Sequence, residues 1–109
     1  MNKGRVLFLT GALLLVHFIA AEGQVVKDAD GNIYLTINIG KQTWMAENLK
    51  TTRFNDGAPI PLVRDVDAWK SLKSPGYCFY NNEEKNKDVF GALYNWYAVN
   101  TGKLCPKGF

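Results

Sequence analysis

The stretch VVKDADGNIYLTINIGKQTWMAENL, residues 25–49, decides the fold of this chain. Isoleucine or leucine stands at every second position between Ile33 and Ile39, the period of a β-strand with one buried face. Asp30-Gly31 before this strand and Gly40-Lys41 after it are tight-turn signals. The pattern predicts a three-stranded antiparallel β-meander. Its expected strands are Val25–Lys27, Ile33–Ile39 and Gln42–Met45.

The acidic run Asp28–Asn32 in the first turn also has the composition of a calcium-binding loop. An EF-hand loop needs a glycine at position six and a glutamate at position twelve. Counted from Asp28, the glycine falls at position four, and position twelve is Ile39. The run is therefore interpreted as a turn, and the sequence predicts no metal site.

A short helix is predicted between Asp65 and Ser74, downstream of a loop over NDGAPIP, residues 55–61. Asp65 or Asp67 can cap its N-terminus, and Trp69 and Leu72 would lie on its buried side. Proline and glycine follow and end the helix. The aromatic run YCFY, residues 77–80, is typical of a strand, and the charged residues 81–88 are typical of a solvated loop.

A second helix is predicted to begin at Asp88 and to stop at Gly102. Its apolar residues fall at i, i+3, i+4 and i+7, which is the spacing of one helical stripe. These residues are Phe90, Leu93, Tyr94 and Tyr97. Short strands first and helices later, without β-α-β alternation, predict an α+β fold: a short antiparallel meander with one or two helices.

Residues 1–23 have the parts of a secretory signal peptide. A basic start is followed by the apolar run Val6–Ala21, and Ala21-Glu22-Gly23 places small residues before a cut at Gln24; a cut after Ala21 is the alternative. A membrane anchor would need about 20 apolar residues, and this shorter run contains a histidine. We therefore expect an exported chain, secreted or on the cell surface, with no membrane span after cleavage.

Cleavage would leave residues 24–109, enough for one small domain, with 11 basic and 9 acidic residues. This weak net charge does not favour nucleic acid as a partner. The only histidine, His17, would leave with the signal peptide, which excludes histidine-dependent catalysis and histidine-bound zinc. The sequence thus predicts no catalytic, cofactor-binding or metal-binding residues.

Cys78 and Cys105 are the two cysteines of the chain. In an exported protein such a pair is most simply interpreted as a disulfide, whereas a redox site is the alternative. The bridge would close a loop of roughly 27 residues and stabilise a small domain by about 3.5 kcal/mol in the chain-entropy model.

The aromatic residues are the one signal in the sequence for ligand binding, because exposed aromatic faces stack on sugars and nucleobases. Core packing is the simpler interpretation for Trp44, Trp69, Tyr94 and Tyr97, given their places on a strand, a helix face and the stripe. Trp96 falls off the stripe and is the candidate for an exposed, ligand-facing aromatic residue.

Three stretches together carry a family resemblance: QTWMAENLKTTRFNDGAPIPLV (42–63), PGYCFYNNEEKN (75–86) and FGALYNWYAVNTGKLCPKGF (90–109). They resemble the Fibrobacter succinogenes major paralogous domain of exported and cell-surface bacterial proteins. That family is in turn similar to the C-type-lectin-like fold of formylglycine-generating, sulfatase-modifying proteins. In that comparison residues 91–100 would form the first helix.

Family members continue past a C-P-x-G-W motif, which Cys105–Phe109 approximates, into a second helix and further strands. The resemblance therefore implies that residues 24–109 are a partial, incomplete C-type-lectin-like domain. We expect its apolar stripe to be left exposed and the fragment to be marginally stable.

Three functional hypotheses follow from the resemblance and from the missing catalytic groups. The first is an exported, non-catalytic bacterial surface or secreted module that binds a glycan or a cell-envelope protein. The second is a remnant of a formylglycine-generating oxidoreductase, which would need reactive cysteines. The third is a truncated fragment without an independent function.

Overall fold

A computed structural model describes residues 24–109, which form two small antiparallel sheets and short helices. The architecture is α+β, as predicted, whereas the signal peptide predicted over residues 1–23 lies outside the described residues. The elements in chain order are β1 (Val25–Lys27), β2 (Ile33–Ile39), β3 (Gln42–Met45), α1 (Val66–Ser71), β4 (Tyr77–Cys78), two 3-10 turns (Tyr80–Asn82 and Glu84–Asn86), α2 (Lys87–Phe90), β5 (Leu93–Tyr94) and α3 (Trp96–Val99).

The predicted meander is confirmed in its strands and in their order, β1-β2-β3. Val26 pairs with Tyr34 between β1 and β2, and Ile37 pairs with Trp44 between β2 and β3. Gly31 lies in the first turn with a φ of 89°, a backbone conformation that costs glycine little. The turn signals therefore set the register of all three strands.

The face of β2 that is buried is the opposite of the one predicted. Tyr34 is 0% exposed and lies beside the buried Val26, while the four aliphatic residues of β2 are 53–62% exposed. Those residues are Ile33, Leu35, Ile37 and Ile39. The period-2 pattern identifies a strand, but it cannot say which face packs when one face carries a large aromatic residue with hydrogen-bonding partners.

Tyr34 and Asp28 form the buried hydrogen-bond network at the base of the meander. Asp28 Oδ1 accepts the backbone N–H groups of Asp30 (3.0 Å) and Asn32 (2.9 Å), and its Oδ2 accepts the Tyr34 hydroxyl at 2.6 Å. The Tyr34 hydroxyl oxygen accepts the Lys50 N–H at 3.0 Å. Burial and then the Asp28 hydrogen bond raise the pKa of Tyr34. The network joins the first hairpin to the chain beyond β3.

Asp30 adds a second connection from the same turn. Its Oδ2 accepts both the N–H (2.6 Å) and the hydroxyl (2.8 Å) of Thr52, and its Oδ1 lies 3.4 Å from Arg53 Nε. The carboxylates of the acidic turn are thus occupied by protein donors. Residues 28–32 form a turn, as interpreted from the sequence.

A single cluster of buried apolar residues lies between the loops and β4. Its members come from distant parts of the chain: Phe54, Ile60, Tyr77, Phe79, Ala98 and Leu104, with Leu49, Ala92 and Tyr94 packed against them. Tyr77 and Phe79 meet edge to face at 5.5 Å between ring centroids. Tyr94 donates its hydroxyl to the Thr51 carbonyl at 2.7 Å.

Helix α1 is present where a short helix was predicted. Asp65 is its N-cap, and its carboxylate accepts the Ala68 N–H at 2.8 Å. Trp69 is half-buried, so one face of the helix rests on the body of the protein.

The single helix predicted from Asp88 to Gly102 is wrong. Helix α2 ends at Gly91, β5 then pairs with β4 through Tyr77 and Tyr94, and Asn95 begins the new helix α3. The Asn95 side chain accepts the Ala98 N–H at 3.0 Å, an N-cap that apolar periodicity does not reveal. The helical spacing of the apolar residues was therefore misleading, because this segment contains the end of α2, strand β5 and the start of α3.

Three of the four residues of the predicted apolar stripe are nevertheless exposed, as expected. Phe90, Leu93 and Tyr97 are 41–49% exposed, whereas Tyr94 packs against the core. The exposed side chains lie on three different elements rather than on one helical face.

Gly91 closes α2 at a position where the chain passes very near the segment after β3. Its φ is 73°, and an added Cβ would stand 2.5 Å from the Leu49 carbonyl oxygen. Gly102 has a similar φ of 71° with nothing within 4 Å of an added Cβ. We expect Gly91→Ala to lower the free energy of unfolding by at least about 2 kcal/mol, and Gly102→Ala by about 1 kcal/mol.

Urea unfolding of both variants checks this prediction. Both glycines have a positive φ, so Gly102→Ala measures the cost of a side chain at a positive φ without a contact. The additional loss in Gly91→Ala measures the contacts with Leu49 and Asn48 together with the cost of its ψ of −162°. Equal losses in the two variants would contradict the close approach at Gly91.

Candidate functional site

A groove of about 420 Å³ lies between α1, β4 and the first 3-10 turn. We call it the Trp69 groove, after its largest aromatic residue. The residues that line it are Val63, Arg64, Val66, Trp69, Cys78, Phe79, Asn81 and Asn82.

The apolar side of the Trp69 groove is formed by one residue of the core and by the half-buried Trp69. Phe79 belongs to the buried cluster, and Trp69 is half-buried on α1. The strand-like segment before α1 runs beside β4, where Val63 N–H donates to the Tyr77 carbonyl (2.9 Å) and Tyr77 N–H donates to the Pro61 carbonyl (3.0 Å). Two backbone hydrogen bonds therefore fix one wall of the groove against the core strand.

The polar side of the groove has an unusual backbone. Asn81 and Asn82 both have a φ of 55° and are the two non-glycine residues with positive φ in the described part of the chain. This conformation costs about 1–2 kcal/mol per residue, least for asparagine, and such strain clusters at ligand sites. Asn82 Nδ2 donates to the Arg64 carbonyl at 2.9 Å, and Asn86 Nδ2 donates to the Tyr80 carbonyl at 2.8 Å. The first bond holds the strained turn against the loop before α1, and the second closes the turn on itself.

The Trp69 groove combines an aromatic face with exposed donors and acceptors. Arg64, Asn81 and Asn82 are all exposed at its rim. Ligand sites in proteins commonly have this composition, an apolar lining with a few convergent polar groups. Trp69 was predicted in the core and residues 81–88 were predicted as a solvated loop, so this site was not predicted from the sequence. The Asn81-Asn82 pair was the available signal, because asparagine is enriched where φ is positive.

Trp96, the predicted ligand-facing aromatic residue, is 67% exposed on α3. It does not line the Trp69 groove, so the structure does not bring it together with Trp69. Trp44 was expected in the core but is 53% exposed on the meander. Trp44 lines a separate groove of about 550 Å³, together with Gln24, Gln42, Thr43, Gly108 and Phe109. The Trp69 groove differs from it by having an exposed arginine and the positive-φ Asn81-Asn82 turn at its rim.

A smaller polar groove of about 300 Å³ lies between the end of the meander and α2. The ion pair between Lys50 Nζ and Asp88 Oδ1, 3.2 Å apart, lies in its lining, and Asn48 donates to the Phe90 carbonyl there. Lys50 and Asp88 are paired with each other, Glu47 is the third charged residue of the lining, and the lining has no aromatic side chain. It is a weaker candidate for ligand binding than the Trp69 groove.

Over residues 24–109 no group of three or more histidine, cysteine or acidic side chains has the geometry to hold a metal ion. None of the helices in this described part is long and apolar enough to cross a bilayer.

Comparison with protein families identifies the chain. The model of the Fibrobacter succinogenes major domain matches residues 37–109, which are 73 of the 109 residues. The chain belongs to the Fibrobacter succinogenes major domain family. The resemblance carried by the three sequence stretches is thereby confirmed. Searches among curated proteins and solved structures give no significant match, and the similarity to lectin-like folds stays a prediction.

All residues that line the Trp69 groove of this Fibrobacter succinogenes major domain lie inside the matched span. The match begins within β2, so β1 and the Asp28 turn lie outside it. The groove therefore belongs to the family domain itself.

The two cysteines of the domain are free in the structure, so the predicted bridge between them is not formed there. Cys78 is half-buried in the Trp69 groove, and burial raises the pKa of its thiol. Cys105 is exposed, and its carbonyl accepts a hydrogen bond from Asn55 Nδ2 at 3.0 Å. Because the thiolate is the reactive form, Cys78 is a poor nucleophile in this setting.

We expect the reduced domain to react with maleimide at pH 7 first at Cys105 and much more slowly at Cys78. Mass spectrometry of labelled peptides over time checks this, with Cys105→Ser isolating the Cys78 rate and urea giving the unfolded rate. Equal native rates would contradict the burial of Cys78. An unreduced sample that labels at neither thiol until reductant is added would contain the bridge predicted from the sequence.

Proposed function

We propose that this domain is an exported, non-catalytic module of the bacterial cell surface or of a secreted protein, and that it binds glycans in the Trp69 groove. Export is supported by the signal-peptide features of residues 1–23. The observation that carries the binding site is the convergence of Trp69 with Arg64 and the strained Asn81-Asn82 turn around one groove.

The chemistry of the groove suits a sugar. A pyranose ring has an apolar face that stacks on an indole and hydroxyl groups that need both donors and acceptors. Trp69 supplies the indole, and the Asn81 amide and the Arg64 guanidinium supply polar groups at the rim. The Asn82 hydrogen bond to the Arg64 carbonyl holds the backbone of the rim in place, so the backbone loses little conformational entropy on binding.

The oxidoreductase alternative finds little support in the same groove. Its chemistry needs a deprotonated cysteine near a second one, whereas burial raises the pKa of Cys78 and Cys105 is not among the lining residues. No histidine follows residue 17 to lower a thiol pKa. A binding role is therefore the better interpretation of the groove.

A glycan-array screen of the full chain, followed by titration of the best glycan, tests the proposal. We expect Trp69→Ala to weaken binding at least about fivefold, taking as the scale the about 1–3 kcal/mol that a nucleobase contributes by stacking on an aromatic side chain. Trp69→Phe should retain part of the affinity. Asn81→Gly, which keeps the positive φ but removes the amide, should weaken binding without unfolding the turn.

The matched control is Trp96→Ala, which removes an exposed indole outside the groove. It should bind like the wild type, with circular dichroism showing that all variants are folded. No glycan bound above background would refute the proposal. Loss of binding in Trp96→Ala but not in Trp69→Ala would instead place the ligand on α3, at the residue first predicted from the sequence.

A further inference from the structure

The outward face of the meander is an apolar surface that lies outside the Trp69 groove. We call it the Ile face. Its members alternate along β2 and are joined by their directly paired neighbours on β1 and β3: Val25, Ile33, Leu35, Ile37, Ile39 and Trp44. All six are 53–62% exposed.

The Ile face is outward because the opposite face of the sheet is buried where β1 pairs with β2, although Asn38 and Thr43 are exposed farther along it. Val26 and Tyr34, which point the opposite way, are buried, and the Tyr34 hydroxyl bonds to Asp28 and to the Lys50 N–H. Turning the strands over to bury the isoleucines would break this network. The exposure of the Ile face is therefore fixed by the fold.

From this surface we infer that two copies of the chain associate through their Ile faces. The face has the size that such a contact needs. Six large side chains, each more than half exposed, present roughly 600 Å² per copy, so complete coverage of both faces would bury about 1,200 Å², the lower limit of a standard interface. Phe109, which lines a groove with Gln42 and Trp44, adds to the apolar area at one end.

The shape and chemistry of the Ile face favour another copy of itself. Flat sheet faces of β-branched residues pack against each other at about 10 Å, as in β-sandwiches. The indole N–H of Trp44 is already donated to Gln42 Oε1 at 3.2 Å, so the face offers no free donor from this ring. A sugar or another polar ligand would find few hydrogen-bond partners on this face. A second apolar sheet face, by contrast, leaves no polar group unpaired when it covers the first.

The position of Lys27 favours one relative direction of the two copies, by a small margin because charges more than about 10 Å apart are largely screened. Lys27 stands at one end of the face, opposite Ile33, and the neutral Gln42 stands at the other end, opposite Ile39. A two-fold axis across the strands places Lys27 of each copy over the Gln42 end of the other. The two ammonium groups are then separated by about the 20 Å length of β2. In this arrangement Leu35 of one copy meets Ile37 of the second, as a self-complementary contact requires.

Sedimentation equilibrium of the full chain at about 1–100 µM tests the inference. We expect a reversible dimer, with Trp44 fluorescence shifting to the blue as the dimer forms. Ile37→Lys should weaken association at least about tenfold by placing an unpaired charge at the centre of the face. Ile37→Ser should do the same without adding charge.

The control is Asn38→Lys, which puts the same side chain on the same strand but on the opposite face. It should dimerise like the wild type, and circular dichroism should show all variants folded. A monomer at every concentration would overturn the inference, whether or not the face binds lipid vesicles or another protein. Association that Ile37→Lys leaves unchanged would also overturn it, because it would arise from residues 1–23 or from another surface.

Discussion

The buried hydrogen bond between the Tyr34 hydroxyl and Asp28 is the constraint on which the rest of this structure depends. A carboxylate that is 7% exposed is tolerated only when its lone pairs are occupied, and the turn amides and Tyr34 occupy those of Asp28. The same hydroxyl accepts the Lys50 N–H, so one phenol connects the hairpin to the start of the segment that leads to the core. The hairpin and the family domain are thus one folded unit.

Two surfaces follow from this constraint and from the core. Burying Tyr34 forces the isoleucines of β2 outward, which creates the Ile face. The core cluster, by contrast, holds β4 and the loop before α1 together, which creates the Trp69 groove. One surface is the apolar face of a sheet and the other is a groove of mixed polarity, so they suit different partners. A surface module that recognises a ligand through one side and pairs through another is consistent with both.

The sequence predicted the elements that local signals specify. The turns at Asp30-Gly31 and Gly40 join the strands of the meander, and Asp65 caps helix α1 as predicted. It failed where tertiary contacts decide: periodicity could not show that Tyr34 outweighs four aliphatic residues, or that Leu93–Tyr94 pairs with β4 instead of continuing a helix. The site escaped prediction for the same reason, since Trp69 and Asn81 meet only after α1 and β4 have packed.

The most direct test of this account is urea unfolding of Tyr34→Phe beside Tyr80→Phe. The first substitution removes only the hydroxyl that joins Asp28 to Lys50, whereas the second removes a hydroxyl from a tyrosine that is 51% exposed. We predict a loss of about 1–3 kcal/mol in the free energy of unfolding for Tyr34→Phe, and a change within about 0.5 kcal/mol for Tyr80→Phe. Equal stability of the two variants would contradict the central role of the Tyr34 network.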